Sequence, residues 1–397
     1  MSLFKEKRFL RVKGSPRQLS WVVYFLPLAA FAFLLKEYIR TRYGYWVPSL
    51  FQYFLITLIA FVLVLFLIPL CMKLAQHFGI VDKSNDFKKA VGPIPLLGGL
   101  GVFLAFLITI FFFKPWSPQI QAIVTASSII VLIGTLDDIR PLSSGVRLVG
   151  QILASSIVMV AGMKVSFMPH TWWGEGLAVF ITLFWILGIV NATNFVDGVD
   201  GLAAGFTVIA GSFFFLITLH LGQHGPALVA AILAGCGAGF LVFNFKPAKI
   251  YLGDGGSTLM GFLLACLALY GGWSNWGPVI ALGIPVMILG VLIFDMIYIT
   301  ISRIKNGHVR NFKQWLDYRG HDHFHHRLIH LGFKEEEAVI FIYSTSIILG
   351  LSALVIENAH VSYPVVVLLI QATMIFINIT ILMLIGRQIE ADAPSKK

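Results

Sequence analysis

The chain has 397 residues, of which 58% are hydrophobic and 12% charged, against about 25% charged in soluble domains. A water-soluble fold of this length could not hide so much apolar surface, so a soluble protein is excluded and the natural solvent is lipid. The net charge of +10 does not point to nucleic acid, because no base-reading module accompanies the basic residues; it suits anionic lipid head groups and phosphorylated substrates.

Twelve apolar runs of 17–25 residues follow in chain order, near 20–36, 49–72, 96–113, 119–136, 148–168, 177–195, 201–220, 227–245, 257–273, 278–301, 338–356 and 363–386. As helices, each can cross roughly 30 Å of hydrocarbon. Runs this long, without alternation, are helices rather than barrel strands. The expected fold is an all-α, polytopic membrane helix bundle of about 10–12 transmembrane helices. With the N-terminus in the cytoplasm, 24 of the 29 Lys and Arg fall on inner segments, which predicts both termini inside. The expected division is a basic N-terminus and first span (1–47), a catalytic membrane domain (48–386) and a cytoplasmic tail (387–397). The first 35 residues also fit a signal peptide, with a basic start, an apolar core and Ala30-Phe31-Ala32; either reading leaves the later loops on the same sides. Cys71, Cys236 and Cys266 each lie inside an apolar run and read as packing residues, without a disulfide framework or metal spacing.

Polar residues inside a membrane protein are costly and usually functional. Here they gather in five islands, all on the predicted inner side. The first, Asp82 to Lys89 followed by Pro93 to Gly99, carries Lys83, Lys88 and Lys89, which could hold a lipid phosphate or pyrophosphate, or simply anchor the span. The second is Asp137-Asp138 with Arg140 and Arg147 after it. Adjacent carboxylates serve a divalent metal, act as a general base, or end a helix in water. The third, Asn191 to Gly201, repeats Asn194, Asp197 and Asp200 at three-residue intervals, so the three would share a face of a helix, or of one broken at Gly198.

The fourth island, Lys246 to Thr258, is a Gly-rich turn running into a helix start, with Lys249 before it and Asp254 within it. Bare amides there can cradle phosphate, with Asp254 placed to hold Mg²⁺ beside it; the plain alternative is a helix cap. The fifth, His321 to Arg327, contains His323, His325 and His326 in a basic loop. Phosphate binding or proton transfer suits it better than zinc, since no cysteine accompanies the cluster. Asp295 lies some two turns inside the tenth run, eight residues before Arg303; it either faces the same cavity or pairs with a buried donor. Machinery confined to one face argues for an enzyme over a transporter, which needs mid-membrane sites and access to both sides.

The stretches DKSNDFKKAVGPIPLLGG, GTLDDIRPLSSGVR, NFVDGVDGLAAG, FNFKPAKIYLGDGGS and HDHFHHRLIHLG resemble, in order, the five cytoplasmic motifs of the polyprenyl-phosphate N-acetylhexosamine-1-phosphate transferases, over roughly residues 70–340. The His323 to Arg327 pattern and Lys246-Pro247-Ala248-Lys249 are similar to the branch that uses UDP-GlcNAc or a related UDP-HexNAc, rather than the UDP-MurNAc-pentapeptide branch. Ser84 and Val91-Gly92 depart from that branch, which usually has a proline and a histidine near them. The resemblance implies transfer of a sugar-1-phosphate from a UDP-sugar to undecaprenyl phosphate in the bacterial inner membrane, for O-antigen, teichoic acid or arabinogalactan synthesis, with Mg²⁺ (or Mn²⁺) as cofactor. It implies Asp137 and Asp138 as the catalytic acids, His325 and His326 beside them, and Asp254 with Asp137 at the metal. Lys83, Lys89, Asn194, Asp197, Asp200, Lys249, His323 and Arg327 would bind substrate. The partners are then a UDP-sugar, the polyprenyl phosphate and membrane lipids, without nucleic acid and with a homodimer allowed. A CDP-alcohol phosphatidyltransferase fits less, because Gly205 stands where that motif, begun by Asp197 and Asp200, needs arginine.

Overall fold

The computed structural model describes residues 50–82, 93–113, 117–273, 278–307, 309, 314, 323–357 and 362–392. The first expected run, the alternative signal peptide, Lys83 and Lys89 therefore lie outside the described residues. Described residues from Leu50 onward form one compact unit.

Helices stand at eleven of the twelve expected runs: α1 (Leu50–Phe78), α2 (Gly98–Phe113), α3 (Pro118–Ile139), α4 (Ser144–Val160), α5 (Trp172–Val196), α6 (Leu202–His220), α7 (His224–Asn244), α8 (Gly253–Tyr270), the pair α9 (Pro278–Ile288) and α10 (Gly290–Lys305), α12 (Glu335–Glu357) and α13 (Ser362–Asp392). A short α11 (Phe324–His330) carries the histidines. Among the described residues, seven helices are long and apolar enough to cross a membrane, and the α9–α10 pair makes an eighth when taken as one span. The chain is a polytopic helical membrane bundle.

Two runs differ from expectation. The run 278–301 is not one straight helix: its halves meet at 77°. Pro285 inside α9 lacks the amide that would bond a turn back, and Gly290 opens the second half, the usual causes of a sharp kink. The run 148–168 stops being helical after Val160.

The centre of the bundle is made of α7 and α8. Helix α7 packs on α1 and α6, and α8 on α2, α3 and α5. Both are rich in Gly and Ala, which lets helices in lipid approach until backbones touch. At Gly99 of α2 an added Cβ would lie 2.2 Å from the Gly256 nitrogen, and at Gly134 of α3 it would lie 2.4 Å from the Gly255 Cα. Helices α2 and α3 thus rest directly on the first turn of α8. The turn before α8 is tied down as well. Strands β1 (Val81–Asp82) and β2 (Ile94–Pro95) pair antiparallel, the Tyr251 amide donates to Pro95 O at 2.9 Å, and the Gly99 amide to Leu252 O at 2.8 Å. Around this centre, Phe51, Phe54, Leu132, Phe180, Phe184 and Ile370 are exposed, as a lipid-facing surface requires.

Candidate active site

The two acids at the end of α3 point to different tasks. Asp138 accepts the amides of Asp254, at 2.7 Å, and Gly255, at 3.2 Å. Its negative charge sits on the positive end of α8 and satisfies amides that no helical carbonyl could reach. Gly253, at φ +70, must stay bare, because a Cβ there would lie 2.4 Å from Asp138 Oδ2. Asp137 turns the other way. It accepts the Leu142 amide and the Arg147 guanidinium, Nη1 to Oδ2, at 3.2 Å. The same Nη1 lies 3.4 Å from Asp254 Oδ2. One cation on α4 therefore spans carboxylates on α3 and α8.

The third island divides in the same manner. Helix α5 ends at Val196 with Asp197 as its C-cap, so the three polar residues do not share one helix face. Asn194, still helical, donates Nδ2 to Asp254 Oδ1 at 2.9 Å and to Ser257 Oγ at 2.8 Å. Asp197 is half-buried on the cavity wall. Burial, then the negative charges of Asp254, Asp138 and Asp200, push its carboxyl well above the ordinary 3.8. Asp200 is buried, and its Oδ2 accepts the Ala248 amide at 3.0 Å. Next to it, Asn244 accepts the Gly201 amide at 3.0 Å and donates to Ile250 O at 2.9 Å. Asp200 and Asn244 thereby brace the turn that leads into α8.

These groups line one cavity of about 700 Å³ that also takes in His323, His325 and His326, a size within the range of small-molecule sites. Helix ends from α3, α5 and α7 and helix starts from α4 and α8 meet there, with the loop 197–200 before α6. His325 is buried, and a Cβ on Gly198 would come within 3.2 Å of its Nε2, so the histidine wall closes against the acidic loop. Two expected binding residues stand apart. Lys249 is exposed on its turn and does not line the cavity, nor does Arg327.

Sequence reasoning missed three contributors. Arg147 had a legible signal, a cation just after an acidic pair, but its double contact needs α3 and α8 to meet. Asn191 opens the third island without an assigned role, and Gln151, to which it donates at 3.1 Å on the cavity wall, gave no signal. Asp138 and Asp200 were visible as acids, but not as braces for backbone amides.

A divalent cation is implied by the acidic motifs. Among the described residues, no three His, Cys, Asp or Glu converge as a finished cage. Two carboxylates, Asp137 and Asp254, do share one cation. That fits Mg²⁺, which is usually held by one or two carboxylates and completed by substrate phosphates and water.

The family model described as glycosyl transferase family 4 matches residues 120–272, which hold the acidic pair, the acidic loop and the turn into α8. A probable undecaprenyl-phosphate N-acetylglucosaminyl 1-phosphate transferase of Bacillus subtilis (strain 168) is 31% identical over 310 residues, covering 77% of this chain and 85% of the relative. A decaprenyl-phosphate N-acetylglucosaminephosphotransferase of Mycobacterium tuberculosis (strain CDC 1551 / Oshkosh) is 29% identical over 304 residues, 68% of this chain and 74% of its own. An undecaprenyl-phosphate alpha-N-acetylglucosaminyl 1-phosphate transferase of Escherichia coli (strain K12) is 28% identical over 306 residues, 72% and 79% of the two chains. With the acidic pair, the loop and the turn gathered on one cavity, and a relative at this identity matched over most of its length, the chain belongs to glycosyl transferase family 4.

Proposed function

We propose that the chain transfers N-acetylglucosamine-1-phosphate from UDP-GlcNAc to a polyprenyl phosphate, releasing UMP, as the first membrane step in building a bacterial envelope polysaccharide. The observation that carries this reading is the convergence of Asp137, Asp197, Asp254, His325 and His326 on one cavity in a chain similar to N-acetylglucosamine-1-phosphate transferases. Those relatives' names do not favour the MurNAc-pentapeptide alternative.

Two anions must meet, so charge neutralisation is the main task. Mg²⁺ held by Asp254 and Asp137 would draw charge from the pyrophosphate of the nucleotide sugar. Arg147 carries positive charge to the same spot, and His325 and His326 line the same cavity. Asp137 takes the proton of the lipid phosphate, whose oxygen forms a bond to the sugar-linked phosphorus as the bond to UMP breaks. Asp138 is unsuited to that role, because both its oxygens already hold amides of α8. Asn194 keeps Asp254 oriented. Holding the reactants in line adds several kcal/mol, about what positioning alone can supply.

The Lys and Arg bias supports a cavity facing the cytoplasm of a bacterial inner membrane, with both termini on that side; a homodimer is compatible with the fold. Release of UMP from radiolabelled UDP-GlcNAc, requiring both polyprenyl phosphate and Mg²⁺, tests the transfer. Activity that ignored the lipid would overturn it. Exchange of UMP into UDP-GlcNAc with lipid absent would replace direct attack by a covalent aspartyl intermediate.

A further inference from the structure

Asp295 lies on α10 and is 3% exposed. A buried carboxylate is costly unless its oxygens are satisfied, and both are taken by the start of α11. Oδ1 accepts the Phe324 amide at 2.8 Å, and Oδ2 lies 3.1 Å from His323 Nδ1. On the other side of that ring, Nε2 lies 3.4 Å from Arg303 Nη2, which comes from the same helix as Asp295. A guanidinium has donors and no acceptor. Nε2 must therefore accept, and the ring hydrogen sits on Nδ1 and is donated to Asp295. A doubly protonated ring would aim an N–H at the guanidinium.

His323 thus has both nitrogens occupied within the protein, and none is left for a substrate phosphate. Its ring instead supports the next histidines. His323 and His325 stack at 5.8 Å with 6° between planes, and His325 and His326 lie 4.2 Å apart. The Arg303 guanidinium also sits over Phe195, 5.9 Å from the ring centroid, on the acidic loop's side.

We propose that Asp295 and Arg303 are positioning residues that hold His323 as its Nδ1–H tautomer and, through that ring and the Phe324 amide, set where His325 and His326 stand in the cavity. The inference rests on the transferase reading for its kinetic consequence, but not for its tautomer.

The test uses the full chain in detergent, ¹⁵N-labelled at histidine, with the His323 signals assigned by their loss in His323→Gln. The proton is expected on Nδ1; a proton on Nε2 overturns the proposal. Kinetics supply the second arm. Asp295→Asn keeps an acceptor for Phe324 but offers His323 an N–H, forcing the ring hydrogen onto Nε2 against Arg303. Its kcat should fall about tenfold with KM for UDP-GlcNAc changed less than about threefold. In the Arg303→Gln background the same substitution should cost less than about threefold, because a glutamine carbonyl can accept the relocated hydrogen. Equal losses in both backgrounds, or a normal kcat in Asp295→Asn, overturn the proposal. If a variant loses its monodisperse elution, the wild-type spectrum decides. A wild type that carries the Nδ1 proton yet releases no UMP supports this inference and refutes the transfer reading.

Discussion

One guanidinium, that of Arg147, lies between Asp137 and Asp254, where two carboxylates on different helices would otherwise repel. It sits where a divalent cation would also be drawn. Arg147→Ala should therefore lower the melting temperature in EDTA, by the equivalent of about 1 kcal/mol for this part-exposed contact, and Mg²⁺ should restore much of the loss. A melting temperature indifferent to both changes would sink the shared-cation picture. The two adjacent acids are expected to separate in the same assay. Asp137→Asn should nearly abolish UMP release while the chain stays folded in detergent. Asp138→Asn should lower melting by about 1 kcal/mol through loss of the charge on the α8 end. Proton linkage gives a third outcome. The Asp197 carboxyl titrates well above 3.8 because of burial and neighbouring acids. Above 3.8 the unfolded chain has lost this proton while the folded one keeps it, so this group's contribution to stability declines as pH rises, until the raised value is passed. A cation in the cavity favours the ionised form and expels the proton. Apparent Mn²⁺ affinity should thus rise with pH as this carboxyl loses its proton, in a titration followed by electron paramagnetic resonance. At this scale the sequence named most of the polar residues that line the cavity, but not the bonds each of them makes. Asp138 and Asp200 read as site acids, and only their amide partners on α8 and at Ala248 mark them as braces.

The elements explain why those braces hold. Helix α3 meets α8 at Gly134 and Gly255 with no side chain between, and the approach would leave a Cβ 2.4 Å from backbone. Gly134→Ala must push α3 away or strain it, at about 1–3 kcal/mol for overpacking. The shift should also loosen Asp138 from its amides. Lower thermal stability together with reduced turnover is expected; an unchanged melting curve would mean the helices slide freely. Lengths and apolar periods made these helices legible from composition alone, since lipid permits few other structures. The bend between α9 and α10 was not, because Pro285 and Gly290 also occur in straight membrane helices. The end of α5 at Val196 was legible only as one of two alternatives, a break at Gly198, as polar spacing of three fits a continuing helix equally well.

For the whole molecule, the gathering of the islands was the most legible feature. Spans of known length return the chain to the same side at known places, so ordered motifs on loops of one face are brought together. Sidedness itself is open to a chemical test. Cys71, Cys236 and Cys266 are buried, so the natural thiols give little background. His170, at the end of the bundle away from the cavity, and Lys249, on the turn before α8, are both exposed. An impermeant maleimide should label His170→Cys in intact cells and Lys249→Cys only after the membrane is opened. The reverse pattern would invert the topology.

The glycine seams of α2 and α3 against α8 have a mechanical consequence. Backbones in direct contact cannot part by rotating side chains, so the acidic wall behaves as a fixed jaw. Under the proposed transfer, a nucleotide sugar and a lipid head group must nevertheless enter and leave between turnovers. The compliance for that traffic falls to the opposite jaw, the short histidine helix, which packs on α12 and α13 through side chains such as Phe324 and Leu328 rather than along a glycine seam. Turnover speed would then be governed by how readily that jaw yields, while fidelity at phosphorus is kept by the one that does not.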